Sequence, residues 1–352
     1  MAFPLFTLGK NILLSNFKPP TTNYKLTFAI TYRCNARCST CGIWQKATQP
    51  ELSLPEIETF FKRNSFSWIN LTGGEPFLHP KLTEMISLIQ STNPDLFFLN
   101  TTSNGLATND ILTKAEALCS FVKLPKFAIG ISLEGPPEID GKIRNMPGSF
   151  AKSLQTFKGL LEIFKNTNYQ PFISYTISPQ NVGHLEETIR SIRAEIPSFK
   201  LNQFHANLFH HSNHYYGNVN YKLDDNFAVK ATEEIKAFLA IYRQGLNPDA
   251  WLEKKYLSLL PKYLEQKKTP LPCQALRASC FLDPQGNIFP CSMYDKKLGN
   301  IKEFDYKLAN LWPAKVSQET REIIAKYNCP NCWTPCEAYQ TILGNMLKSI
   351  RS

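Results

Sequence analysis

The chain has 352 residues, of which 43% are hydrophobic and 19% are charged, and its formal net charge is +10 at pH 7. This length and composition can bury a core in about two domains, and they exclude a disordered, collagen-like or low-complexity chain. Ten cysteines are too sparse for a small fold stapled by disulfides, so their spacing has to explain them.

The N-terminal residues lack a secretory signal, because no basic segment precedes an apolar run and a small-residue cleavage site. No stretch approaches the ~18 consecutive apolar residues of a transmembrane helix, so we expect a cytoplasmic protein without a membrane partner. The basic residues are dispersed and form no stripe, which argues against a nucleic-acid partner. In a reducing compartment, grouped cysteines are more often metal ligands than disulfides.

Strands and helices are predicted to alternate in six successive units from Lys25 onward. The predicted strands are short apolar runs at 25–31, 68–72, 96–101, 127–132, 171–177 and 200–208. The helices that follow them are predicted at 53–62, 81–90, 109–119, 149–164, 185–196 and 225–242. Because each connection between parallel strands needs a crossover helix, the pattern predicts an α/β fold with a parallel sheet.

The alternation stops near Tyr242, and the composition then changes. Pro261, Pro270 and Pro272 interrupt a Lys-rich stretch, and the chain beyond Cys273 is rich in turns and cysteine. We therefore predict an N-terminal extension at 1–23, a core domain at 24–242, a connector at 243–272 and a small Cys-rich domain at 273–352.

Cys34, Cys38 and Cys41 follow the first predicted strand with the spacing Cys-x3-Cys-x2-Cys. Three thiolates on one tight loop can hold three corners of a cubane iron–sulfur cluster, which leaves the fourth iron for a non-protein ligand. A zinc site is the alternative, although a structural zinc normally takes four protein ligands.

A glycine-rich turn, Gly73-Gly74-Glu75-Pro76, follows the second predicted strand. Two glycines let the backbone approach a ligand closely, and a carboxylate can pair with an ammonium group. Together with the three cysteines, this turn resembles the radical S-adenosylmethionine (radical SAM) superfamily over residues 25–208. The resemblance implies a partial (β/α)6 TIM-like barrel, which agrees with the six units counted independently.

The resemblance also implies cofactors and roles. Cys34, Cys38 and Cys41 would ligate a catalytic [4Fe–4S] cluster, SAM would chelate its unique iron, and the turn at 73–76 would bind the SAM amino group. Reduction by an external donor such as flavodoxin or ferredoxin would cleave SAM to a 5′-deoxyadenosyl radical that abstracts hydrogen from the substrate. Thr40 stands where relatives often carry an aromatic residue. Further SAM-binding candidates are Asn104, Ser132, Glu134 and Arg144.

Six more cysteines lie in the last 80 residues. Their arrangement resembles the SPASM or twitch extension of radical SAM enzymes, which holds auxiliary [4Fe–4S] clusters. Two fully ligated cubanes would need eight thiolates, so we expect one auxiliary cluster. The favoured ligands are Cys280, Cys291, Cys329 and Cys332. Cys273 and Cys336 could replace members of this set, and two incompletely ligated clusters or a zinc site stay open.

Four of the six histidines lie between His205 and His214, after the sixth predicted strand. We predict that His205 points into the barrel, for substrate binding or proton transfer. A small-molecule substrate is favoured, because the residues before the first predicted strand are too few for a leader-peptide docking domain. A SPASM-type peptide or protein maturase is one alternative, and a non-catalytic iron–sulfur or zinc binder is another.

Overall fold

The computed structural model describes residues 2–17, 23–47, 49–242 and 248–349, and a single sheet forms its centre. The strands are β1 (Lys25–Thr31), β2 (Trp68–Gly73), β3 (Phe98–Ser103), β4 (Lys126–Leu133), β5 (Gln170–Ile177), β6 (Phe204–Leu208), β7 (Ser279–Leu282), β8 (Asn287–Phe289) and β9 (Gly299–Asn300). Within the described residues the sheet has nine strands in the order β6-β5-β4-β3-β2-β1-β7-β8-β9.

Helices surround this sheet. They are α1 (Ala2–Phe17), α2 (Leu54–Arg63), α3 (Leu82–Thr92), α4 (Thr108–Phe121), α5 (Pro137–Ile143), α6 (Ser149–Phe164), α7 (Leu185–Glu195), α8 (Phe227–Ile241), α9 (Pro248–Gln266), α10 (Leu308–Leu311), α11 (Lys315–Ala325), α12 (Pro335–Leu343) and α13 (Met346–Ser349). Each neighbouring pair from β1 to β6 is parallel, and helices form the crossovers. The predicted α/β fold with a parallel sheet is therefore confirmed.

The local sequence explains why these elements form. Every residue of β1 is buried, as expected for a strand covered on both faces. Helix α2 begins with a capping box, in which the Glu56 carboxylate accepts hydrogen bonds from the Ser53 N–H and hydroxyl at 2.8 and 2.7 Å. The sixth strand starts at Phe204 and not at the predicted position 200, because residues 201–203 form a 3-10 turn.

Part of the predicted connector is a long helix, α9, which contains Pro261. Sequence reasoning gave the prolines too much weight here, because α9 has an apolar face that is buried against its neighbours. Tyr256, Leu257, Leu260 and Leu264 lie on that face at helical spacing. Burial of such a face outweighs the loss of one backbone hydrogen bond at a proline.

The C-terminal segment continues the barrel sheet. Strand β7 pairs in parallel with β1 from Lys25–Ser279 to Phe28–Leu282, and β8 and β9 extend the sheet with antiparallel pairs. The Cys-rich segment is thereby fixed against the strand that leads into the first cysteine loop.

None of the helices in the described part of the chain is long and apolar enough to cross a membrane.

Candidate active site

Cys34, Cys38 and Cys41 lie on the loop that leaves the carboxyl end of β1, and all three line the main cavity. Burial raises the pKa of the Cys38 and Cys41 thiols to about 12, so they stay protonated unless a positive charge joins them. Iron supplies such a charge and binds thiolates. Three thiols beside an open cavity therefore fit a cluster that keeps one iron exposed to a further ligand.

The cysteine loop is held in place by backbone hydrogen bonds on two sides. The Ser39 N–H donates to the Ile143 carbonyl at 2.8 Å, and the Gly42 N–H donates to the Tyr216 carbonyl at 2.6 Å. A Cβ atom on Gly42 would lie only 2.6 Å from the Gly217 carbonyl oxygen, so glycine is required for this close approach. The segment that follows β6 thus covers the cysteine loop.

The two glycines of the turn after β2 let this turn approach the end of β1. A Cβ atom on Gly73 would lie 2.1 Å from the Thr31 carbonyl oxygen, and one on Gly74 would lie 2.3 Å from that of Arg33. The Gly74 N–H donates to Thr31 and the Glu75 N–H donates to Arg33, both at 2.8 Å. The glycine-rich turn and the cysteine loop are therefore joined directly, and both glycines line the cavity.

Glu75 is fully buried, and its carboxylate binds backbone groups of the protein. It accepts hydrogen bonds from the N–H of Phe77 at 3.0 Å and from the N–H of Asn104 at 2.6 Å. Glu75 and Pro76 lie behind the cavity wall, and the glycines before them are part of its lining. The visible role of Glu75 is to tie the turn after β2 to the end of β3, and its predicted contact with SAM stays a prediction.

Arg144 is a buried cation that connects the carboxyl ends of β3 and β4. Its guanidinium donates to the carbonyls of Asn104, at 2.6 Å, and Ser132, and its Nε lies 3.2 Å from the Asp140 carboxylate. The predicted residues Asn104, Ser132, Glu134 and Arg144 all line the main cavity near the three cysteines. The structure thus brings these four predicted SAM-binding candidates together.

Among the four SAM-binding candidates, Glu134 is a carboxyl group whose charge changes near neutral pH. Burial raises the pKa of Glu134 to about 7, although the Arg144 guanidinium opposes the shift. At neutral pH the carboxyl group therefore exists in both protonation states. It can either donate or accept a hydrogen bond with a group in the cavity.

The main cavity has a volume of about 1120 Å³ and is lined by inward-facing residues of β1 to β6. Amide and hydroxyl side chains form a polar belt across it. Asn100 donates to the Asn70 side-chain carbonyl at 2.9 Å, and Asn207 donates to the Ser174 hydroxyl at 3.1 Å. Because pockets for single small ligands usually span about 300–1000 Å³, this cavity has room for SAM and part of a substrate.

His205 lines this cavity, as predicted, and it is paired with a buried acid. Its Nδ1 lies 3.3 Å from the Glu253 carboxylate, which also accepts a hydrogen bond from the Tyr339 hydroxyl. The second carboxylate oxygen of Glu253 is buried without a hydrogen-bond partner. Sequence reasoning missed Glu253 because it missed α9, although the helical spacing of the apolar residues after it was a usable signal.

His210 joins the segment that covers the cysteine loop to the C-terminal segment. It is buried, its Nδ1 lies 2.8 Å from the Leu208 carbonyl, and its Nε2 accepts the Trp333 N–H at 3.0 Å. Burial lowers the pKa of His210 to about 4, so the ring is neutral and can donate from Nδ1 while it accepts at Nε2.

The C-terminal cysteines divide into a group of four and two that lie elsewhere. Cys273, Cys291, Cys329 and Cys332 line one small cavity. The favoured set in the sequence contained Cys280, but this residue is fully buried in β7 and packs in the hydrophobic core. Cys280 does not line the small cavity, whereas Cys273 does, so the structure places Cys273 in the group and leaves Cys280 outside it.

Cys336 lies apart from that group and lines the main cavity. The Asn70 side-chain amide lies 3.7 Å from its Sγ, and the buried Lys25 ammonium donates to its carbonyl. Across the residues that the structure describes, no three His, Cys, Asp or Glu side chains are arranged to hold a single metal ion.

Comparison with known families gives two matches. The model of the radical SAM superfamily matches residues 28–192, and that of the iron–sulfur cluster-binding SPASM domain matches residues 273–337. The first match contains the cysteine loop, the glycine-rich turn and the four further cavity residues. The second contains all six C-terminal cysteines. The cofactors of these domains are a SAM-binding [4Fe–4S] cluster, SAM and auxiliary iron–sulfur clusters.

Individual relatives resemble most of the chain. The subtilosin biosynthesis protein AlbA of Bacillus subtilis is 24% identical over 86% of this chain, which spans 64% of the length of AlbA. The mycofactocin maturase MftC of Mycolicibacterium smegmatis is 24% identical over 87% of this chain and 74% of its own. Streptococcus suis SuiB bound to its precursor peptide SuiA has the same fold, with a TM-score of 0.59 and 12% identity over 98% of this chain and 76% of SuiB. This chain belongs to the radical SAM superfamily, and its C-terminal part is an iron–sulfur cluster-binding SPASM domain.

Proposed function

We propose that this radical SAM enzyme is a maturase that modifies a peptide. The observation that carries the proposal is the character of its relatives, which include a bacteriocin biosynthesis protein, a maturase and an enzyme crystallised with its precursor peptide. This observation favours a peptide over the small-molecule substrate that the sequence suggested. A peptide docking module is not required within this chain if a separate protein presents the substrate.

The shape and chemistry of the main cavity support a peptide segment as the substrate. The side-chain amides of Asn70, Asn100 and Asn207 lie on its wall, and each amide can both donate and accept hydrogen bonds. A peptide backbone offers the same alternation of donors and acceptors. The cavity is large enough to hold a peptide side chain beside SAM.

We assign the ligands from the two cysteine groups. Cys34, Cys38 and Cys41 hold the cluster that binds SAM, and Gly73, Gly74, Asn104, Ser132, Glu134 and Arg144 form the SAM site around them. The auxiliary cluster is held by Cys273, Cys291, Cys329 and Cys332. When bound, the first cluster and SAM supply the hydrogen-abstracting radical, and the auxiliary cluster supplies an electron acceptor.

The pair of His205 and Glu253 supplies a proton acceptor in this scheme. Abstraction of the first hydrogen atom takes one proton and one electron from the substrate. Formation of the new bond in the product then releases a second proton and a second electron. His205 accepts the second proton at Nε2, while Glu253 holds Nδ1 and stabilises the imidazolium. The auxiliary cluster, held by the four C-terminal cysteines, would supply the acceptor for the second electron, and the substrate would lose two hydrogens in total.

The proposal is tested with anaerobically reconstituted enzyme, SAM and dithionite. The candidate substrates are short peptides encoded beside its gene, and a matched panel of small metabolites is the control. We expect 5′-deoxyadenosine together with a peptide that has lost two hydrogens, and deuterium transfer from labelled peptide into 5′-deoxyadenosine. Product from a small metabolite alone would overturn the peptide assignment. Bound iron without any 5′-deoxyadenosine would favour the non-catalytic alternative.

A further inference from the structure

Helix α1 packs against the protein with polar side chains on its inner face. The Asn11 amide donates to the Ser67 hydroxyl at 3.3 Å, and the Asn16 amide donates to the Leu343 carbonyl at 2.8 Å. Ser15, which donates to the carbonyl one turn before it, is buried on the same side. Leu8 and Ile12 lie on the same side, so the inner face is mixed, whereas a surface helix of a globular protein normally has an apolar inner face.

The outer face of α1 is apolar and exposed. Phe3, Phe6 and Phe17 are each 70% exposed. Positions 3, 6, 10, 13 and 17 recur every three or four residues and therefore form one stripe along the helix. The large apolar residues of this outer face are Phe3, Phe6, Leu13, Leu14 and Phe17. A contiguous apolar patch of this kind marks an interaction surface.

The charges on and near α1 identify the kind of partner. Helix α1 contains no acidic residue, and Lys10 is exposed within the apolar stripe. Asn16 also accepts the Leu347 N–H at 3.1 Å, which ties α13 to the end of α1. Together with the net charge of +10, this composition complements an anionic surface.

We propose that the outer face of α1 binds an anionic phospholipid bilayer. A helix of 16 residues is about 24 Å long, which is shorter than the ~30 Å hydrocarbon core, and one side of it packs on the protein, so it lies in the plane of the membrane interface and does not span the bilayer. Phenylalanine and leucine enter the boundary between headgroups and acyl chains, and Lys10 pairs with lipid phosphates. This inference departs from the expectation, drawn from the sequence, that the protein has no membrane partner.

Membrane binding has a consequence for the main cavity. Leu5, Leu8 and Ile12 of α1 also line this cavity, so the helix forms part of its wall. The bound helix would hold the cavity next to the bilayer. A substrate that is itself at the membrane would then be close to the active site without crossing bulk water.

The test uses the reconstituted full chain and co-sedimentation with vesicles. The vesicles are made of phosphatidylcholine alone or of phosphatidylcholine mixed with anionic phosphatidylglycerol. We expect the protein to sediment with the mixed vesicles, and the triple variant F3S/F6S/F17S to bind them more than about tenfold more weakly. The variant K10Q should weaken binding by about fivefold, since a basic residue near an anionic membrane contributes ~1 kcal/mol.

The matched control removes exposed apolar side chains elsewhere. Val219, Leu223 and Val229 are exposed outside α1, and V219S/L223S/V229S should bind vesicles as the wild type does. If the α1 triple variant does not fold, F6W provides a second test, because brominated acyl chains should quench its added fluorescence. No sedimentation of the wild type, or equal loss in both triple variants, would overturn the proposal. A wild-type dimer that becomes monomeric in F3S/F6S/F17S without vesicle binding would instead assign this face to a second copy.

Discussion

The two cysteine groups of this protein offer the same thiol chemistry in opposite surroundings. Cys34, Cys38 and Cys41 lie on a loop at the mouth of a cavity of about 1120 Å³. The C-terminal group of Cys273, Cys291, Cys329 and Cys332 encloses a cavity too small for a substrate. Three ligands beside open space leave a metal position for chemistry, whereas four ligands around a closed space leave none.

The supports of the two groups differ as well. Close backbone contacts that only glycine permits hold the cysteine loop after β1, and cationic Arg144 lies near it. The C-terminal group is distributed over turns that are far apart in sequence and meet only in the folded chain. The first site is therefore encoded locally, and the second depends on the packing of the C-terminal segment.

The largest effect is expected from a change in the open site, which is the group of Cys34, Cys38 and Cys41 at the mouth of the main cavity. In Cys38→Ala, one of the three proposed ligands is lost and no fourth described thiol lies on that loop to replace it, so SAM cleavage should fall to the uncatalysed background. The auxiliary cluster should remain, because its four proposed ligands are untouched. Iron content and 5′-deoxyadenosine formation measure the two sites separately. Loss of all iron in Cys38→Ala would show that the two groups are not independent.

A second change separates the closed site, which is the C-terminal group of four cysteines, from the open site. Cys273→Ala should lose the iron of the auxiliary cluster and product formation, while SAM cleavage persists. Cys280→Ala is the matched control, because Cys280 is a buried thiol of the same segment that lies outside the group of four. The expected readout is iron per chain and the electron paramagnetic resonance of the reduced protein. Equal iron loss in both variants would return Cys280 to the ligand set.

The difference between the two sites also explains what the sequence could predict. The cysteine loop, the glycine-rich turn and the βα units follow from local spacing and apolar patterns, and they were predicted close to their observed positions. The choice between Cys273 and Cys280 could not be made, since the direction of a side chain in β7 depends on its pairing with β1. Glu253 was missed because Pro261 masked the apolar periodicity of α9.

A smaller effect is expected from the proposed proton acceptor, which lines the main cavity and belongs to neither cysteine group. His205→Asn should reduce product formation by about 10²–10⁴-fold while 5′-deoxyadenosine is still formed. Glu253→Gln should give a weaker loss of product formation, because Glu253 acts through His205. The exposed pair of His184 and Glu187 lies outside the main cavity, so His184→Asn and Glu187→Gln are matched controls without an expected effect. A parallel loss of SAM cleavage in His205→Asn would contradict the assigned role.

The smallest effect concerns His210, which links the loop over the open site to Trp333 beside the closed one. Its pKa is lowered from 6.5 to about 4 in the folded chain, so between these values the unfolded chain binds more protons. The contribution of His210 to the free energy of unfolding is therefore fully present above about pH 6.5. It falls by about 1.4 kcal/mol per pH unit as the pH decreases toward 4. His210→Gln keeps an acceptor for the Trp333 N–H and removes this titration. Urea midpoints near pH 7.5 and 5.5 should differ less in the variant than in the wild type. If the difference between the two urea midpoints is the same in His210→Gln as in the wild type, the two sites are joined by contacts other than this ring.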